Sequence, residues 1–77
     1  MSVQRTKGVL KMRKKLIEIR KKKGFTQNEM SVKLNIARTT YTGYELGTFC
    51  PSLDMAIKIK KILNYKNDDI FLLSNDS

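Results

Sequence analysis

The stretch Thr26 to Gly47, TQNEMSVKLNIARTTYTGYELG, constrains this chain more than any other. Thr26 is a good N-cap and Glu29 stands three residues on, the pattern of a capping box, so the sequence predicts a helix to about Leu34. Asn35 falls where the chain must turn sharply, and Asn is among the few non-glycine residues that tolerate a left-handed backbone. A second helix follows from Ala37 to about Leu46, and Gly47 ends it with positive φ.

Upstream, apolar residues at Val9, Met12, Leu16 and Ile19 form one stripe of an amphipathic helix from about Val9 to Lys23. Its opposite face is almost entirely Lys and Arg, and Gly24 closes it after a basic last turn. In the helix that follows, Phe25, Met30 and Leu34 face inward, Phe25 stapling the entry against Met30. In the next, Tyr41 and Tyr44 share the core face with Ile36 before them, leaving Arg38, Thr39, Thr42 and Gly43 on the other. Ser52 caps a fourth helix to about Asn64 with Leu53, Ala56, Ile59 and Leu63 inward, and Asn67 caps a last turn, Asp68 to Phe71. Nothing in the pattern suggests strands. The expected organisation is a basic, partly helical arm at residues 1–11, one domain at residues 12–73, and a frayed tail at residues 74–77. The domain is all-α, a compact bundle of about five short helices.

Composition narrows the function. A chain of 77 residues allows one small domain, which buries only about 60% of the unfolded chain's surface, so no small-molecule ligand is expected. Lys and Arg total 16 against 7 Asp and Glu, and the net charge of +9 suits a polyanion as partner. Residues 1–23 hold ten of the basic residues and one acid, so the net charge lies in the first third. With no His in the chain, Cys50 lacks the usual base and Cys/His metal sites are excluded. Asp68 and Asp69 are explained by the dipole of the turn they open. No catalytic residue, metal or cofactor is therefore expected, and the chain does not read as an enzyme. One cysteine excludes an internal disulfide and suits a reducing compartment. No run approaches the roughly 18 apolar residues of a membrane span, and the start lacks a signal-peptide core, so a soluble, cytoplasmic protein is expected.

Two helices joined by a turn of three or four residues form a helix-turn-helix, whose second helix fits the major groove of DNA. Further residues stand at set spacings around it: Arg20, Gly24, Phe25-Thr26-Gln27, Glu29, Leu34, Ile36, Tyr41, Tyr44-Glu45, Gly47, Pro51-Ser52-Leu53, Leu63 and Asp69-Ile70-Phe71. With these the chain resembles the Cro and phage-repressor (XRE) type of DNA-binding domain, from Met12 to about Phe71. The resemblance implies a lambda-repressor-like fold, a bacterial or phage origin, and double-stranded DNA as partner. It implies that Gln27 binds a phosphate, that Arg38, Thr39, Thr42 and Gly43 face bases, and that Thr40 lies near the sugar-phosphate edge. It also implies an ion pair between Arg20 and Glu45; physical reasoning agrees, since a Glu at a helix C-terminus opposes the dipole unless a cation meets it. Three departures stand out. Asn35 replaces a turn glycine, Ser31 replaces a small alanine, and the uncharged Thr48-Phe49 replaces a loop that is often basic.

Arg38 can donate a two-pronged bond to guanine, or simply neutralise a phosphate. Thr39 and Thr42 offer hydroxyls to base edges and methyls to thymine, and three Thr with a Gly are poor helix formers, so helix stability alone does not account for them. Gly43 leaves a gap where a side chain could read a base. Tyr41 and Tyr44 read as core, and the lysine run from Lys11 to Lys23 as a solvated face or a source of salt-dependent phosphate attraction. Surplus apolar residues Ile57, Ile62, Phe71 and Leu72 suggest a homodimer contact through the fourth helix and C-terminal end, or are absorbed by a small core. The expected function is a sequence-specific DNA-binding regulator, a repressor, reading the major groove with helix 37–46. Phage repression, control of a restriction–modification operon and antitoxin autoregulation are all contexts it would fit. The alternative is a protein-interaction module or antitoxin-like partner with weak, non-specific DNA binding.

Overall fold

A computed structural model describes residues 11–75. In chain order they form β1 (Lys11–Met12), α1 (Lys14–Lys22), α2 (Gln27–Leu34), α3 (Arg38–Leu46), α4 (Leu53–Leu63), a 3-10 turn (Asp68–Phe71) and β2 (Ser74–Asn75). The α-helices number four; the fifth expected helix is the 3-10 turn. The architecture is all-helical apart from a two-residue antiparallel ladder, Lys11 opposite Asn75 and Met12 opposite Ser74.

That ladder corrects two expectations. Residues 74 and 75 are paired rather than frayed, and two residues are too few to leave an alternating pattern in the sequence. The first helix also starts later than its apolar stripe suggested. Met12 is extended, Arg13 stands in the N-cap position with φ −89° and ψ 74°, and Val9 lies outside the described residues. Arg13 stops the helix because its own N–H donates to the Glu45 carbonyl at 2.8 Å, tying this point to the end of α3 instead of to a preceding turn.

The central stretch folds as its local chemistry dictates. Thr26 Oγ1 accepts the Glu29 N–H at 3.0 Å while Glu29 Oε1 accepts the Thr26 N–H at 2.8 Å, a closed capping box worth roughly 1 kcal/mol. Asn35 takes the left-handed conformation, φ 59° and ψ 47°, and Gly47 ends α3 at φ 82°. Ser52 caps α4 through the Met55 N–H, and Asn64 ends it in the left-handed region at φ 51°.

The core is built from Leu16 and Ile19 of α1, Met30 and Leu34 of α2, Tyr41 and Tyr44 of α3, Ile59 and Leu63 of α4, and Ile70 of the 3-10 turn. Leu53, expected inward, is 77% exposed, and Met55 packs on the core in its place. Of the four residues named for a dimer contact, Ile62 and Phe71 pack against this core, whereas Ile57 and Leu72 remain exposed. No helix among the described residues is long and apolar enough to cross a membrane.

Candidate nucleic-acid interface

The candidate site is the outer face of α3, and its geometry follows from how the inner face is fixed. Tyr41 and Tyr44 meet edge to face, with centroids 6.2 Å apart and planes at 83°. Beside them the fully buried Glu45 carboxylate accepts from Arg20 Nε at 2.6 Å and Nη2 at 3.3 Å, and from Gln27 Nε2 at 2.8 Å. Arg20 spans onward to the Phe25 carbonyl at 2.8 Å. The ion pair thus locks α1, the entry of α2 and the end of α3 together. A buried charge is tolerable only with this degree of pairing and hydrogen bonding.

Gln27 sits at the join between scaffold and surface. Its amide nitrogen serves Glu45, and its oxygen accepts the Thr42 hydroxyl at 3.2 Å. Thr42 is accordingly half-buried and oriented by Gln27, while Arg38 and Thr39 are exposed and Thr40 is half-buried. Gln27 therefore commits its oxygen and one amide proton within the protein, while its half-buried side chain also lines the outer surface. A phosphate at the start of α2 would meet backbone N–H groups there, with Arg38 nearby; an open depression of about 540 Å³ is lined by Arg20, Phe25, Thr26, Gln27, Asn28 and Arg38.

Gly43 does not leave a gap. It is buried beneath the Phe49 ring, and an added Cβ would collide with that ring's edge. The loop after α3 is drawn over the helix because the Thr48 and Phe49 N–H groups both donate to the Gly43 carbonyl, at 2.9 and 3.1 Å. A second open depression then runs from Arg38, Thr39 and Thr42 past Gly43 to Leu46 and Phe49.

Arg13 is the functional-scaffold residue that the sequence hid. Its place in a basic run predicts a solvated face, yet it is 4% exposed. Its Nη1 donates to the Tyr44 carbonyl at 2.6 Å and the Phe49 carbonyl at 2.9 Å, and its Nε to the Phe71 carbonyl at 3.0 Å. The usable signal was phase: Arg13, Leu16 and Arg20 stand at i, i+3 and i+7, the inward face itself. Phe49 was a lone aromatic in a polar loop, six residues after a helical glycine, and nothing in the sequence linked the two. Among the described residues no cluster of His, Cys, Asp or Glu could hold a metal ion, and Cys50 is a free, exposed thiol.

Fold and site together define a helix-turn-helix domain, in which α2 braces α3 and α3 presents Arg38 and Thr39 outward. A model of the Helix-turn-helix family matches residues 16–70, and the chain belongs to that family, of the Cro and phage-repressor type. Over 65 residues the chain is 35% identical to an uncharacterized HTH-type transcriptional regulator of Archaeoglobus fulgidus, covering 84% of this chain and 93% of the relative. It is 32% identical to the uncharacterized HTH-type transcriptional regulator YgzD of Bacillus subtilis, over 86% of this chain and all of the relative. The HTH-type transcriptional regulator ImmR of Bacillus subtilis is 36% identical over 82% of this chain and 48% of its own length. No solved structure matches the chain significantly.

Proposed function

We propose that this protein is a sequence-specific regulator of transcription, a repressor, that inserts α3 into the major groove of double-stranded DNA. The observation that carries this reading is the division of α3: Tyr41, Tyr44 and Glu45 are buried while Arg38 and Thr39 stand exposed on the opposite side. Arg38 offers the fork that fits guanine, and Thr39 and Thr42 offer hydroxyl and methyl groups to the adjoining base edges. Backbone N–H groups at the start of α2 and the sugar-phosphate edge near Thr40 set the register. The exposed lysines Lys21, Lys22 and Lys23 add a sequence-independent attraction that weakens with salt. The reading includes a homodimer that joins two copies through the exposed Ile57 of α4 and Leu72 beyond the 3-10 turn, placing two α3 helices on half-sites about one helical turn apart.

The test is selection of bound sequences from random duplex DNA at about 150 mM salt, where screening suppresses the non-specific contribution. Enrichment of a pseudo-palindrome is the expected result. A pool that stays random, with binding that vanishes as salt rises, would overturn the reading and favour a protein-interaction module.

A further inference from the structure

We propose that Phe49, seated on Gly43, is a specificity-determining residue that packs against a thymine methyl group in the major groove. The inference rests on the DNA-reading assignment above and names a reader outside the helix that does the reading. Gly43 occupies an outward position of α3 but supplies no side chain, and the Phe49 ring fills the place where one would stand. The ring belongs to the same depression as Arg38, Thr39 and Thr42, so it continues their row along the surface.

Its placement is fixed by the backbone. Two amides of the loop bond to the Gly43 carbonyl, and the Arg13 guanidinium holds the Phe49 carbonyl at 2.9 Å and the Tyr44 carbonyl at 2.6 Å. Arg13 is thus a positioning residue for the ring. A pre-organised aromatic with two rotatable bonds loses little freedom on contact. The ring is 49% exposed, and its exposed apolar neighbour in the depression is Leu46 at 47%. That spot consists of only these two half-exposed side chains, and it is flanked by a cation and threonines. A methyl group on a polyanion matches both its size and its surroundings, and thymine carries the methyl that the major groove displays.

The experiment repeats the selection with wild type, Phe49→Ala and Gly43→Ala, each checked for folding by its thermal melt. Wild type should enrich thymine at one column per half-site that both variants lose, while the columns read by Arg38 and Thr39 persist. Gly43→Ala reaches the same result by another route, because its methyl evicts the ring. Replacing that thymine by deoxyuridine should then weaken wild type about fourfold per half-site, the effect of one methyl-sized apolar contact, and leave Phe49→Ala unchanged. An unchanged thymine preference in Phe49→Ala, or equal loss with deoxyuridine in both proteins, overturns the role of Phe49 alone. Deoxyuridine without effect on wild type at every thymine column does the same, even if a variant fails to fold. A wild type that enriches nothing overturns the DNA reading and this inference together.

Discussion

The two faces of α3 are held in opposite ways. On the inner face Tyr41, Tyr44 and Glu45 are buried, and the charge among them is matched by Arg20 and Gln27. On the outer face Arg38 and Thr39 lie in solvent, and only Thr42 is steadied, through Gln27. The same residue type therefore does two jobs: Arg13 and Arg20 orient the helix from below, and Arg38 is left available above. What separates them is not chemistry but phase relative to the apolar stripe. The outer side chains are thus held by a rigid support rather than by one another, and the buried arginines supply that support, as the proposed reading of DNA requires.

Removing the inner charge has the largest expected effect. Glu45→Ala leaves the Arg20 guanidinium buried without its carboxylate, which costs about 3–5 kcal/mol. For a domain of this size that lowers Tm by about 12 °C or more, read from the loss of helical circular dichroism on heating. An unchanged Tm would mean that the Arg20–Glu45 pair does not hold α3 in place. Arg13→Ala should follow with about 2–3 kcal/mol, because the carbonyls of Tyr44, Phe49 and Phe71 lose their donor and the latter two regain water only in part. Arg13→Lys should recover less than half of this, since one ammonium cannot reproduce the planar fork. Equal melts for the Lys variant and wild type would sink the claim that Arg13 acts through its geometry.

On the outer face the effect moves from stability to recognition. Arg38→Ala with Thr39→Ala should cost about 1–3 kcal/mol of specific affinity for the selected site and leave Tm unchanged. Residual binding should fall steeply with salt, because the lysines are untouched. Fluorescence anisotropy with the selected duplex measures this, and undiminished affinity in the double variant would refute base reading by these two residues.

How legible these faces were in the sequence differs for physical reasons. Caps and turns are local devices, so Thr26, Glu29, Asn35, Gly47, Ser52 and Asn67 could be placed from neighbouring residues alone. The tyrosine face of α3 followed from spacing. Arg13 was lost because its bonding partners lie 31, 36 and 58 residues away, and a basic residue carries a strong expectation of solvent. The β ladder joins the two ends of the described chain, and no local signal marks it. Gly43 beneath Phe49 was lost for a related reason: helix propensity makes a mid-helix glycine look like a defect, whereas here its missing side chain is the seat of the ring.

The smallest expected effect probes the one polar atom of the inner face left without a match. The Tyr41 hydroxyl is buried and has no hydrogen-bond partner among the described residues. Burial, and then the neighbouring Glu45 carboxylate, push its pKa up from the ordinary value of 10.0. Below pH 10 both folded and unfolded chains keep the phenol proton, and its contribution is constant. Above pH 10 the unfolded chain releases the proton while the folded chain retains it, so stability falls as pH rises, by up to about 1.4 kcal/mol per pH unit for this one group. Tyr41→Phe removes both the unpaired hydroxyl and this dependence. Urea unfolding at pH 8 should find the variant as stable as wild type or up to about 1 kcal/mol more stable. At pH 10.5 the difference should widen in its favour. A variant clearly weaker than wild type at pH 8 would show that the hydroxyl is bonded to Glu45 in solution, so that the inner face is matched throughout and Tyr41 belongs with Arg20 and Gln27 among the groups that hold the helix.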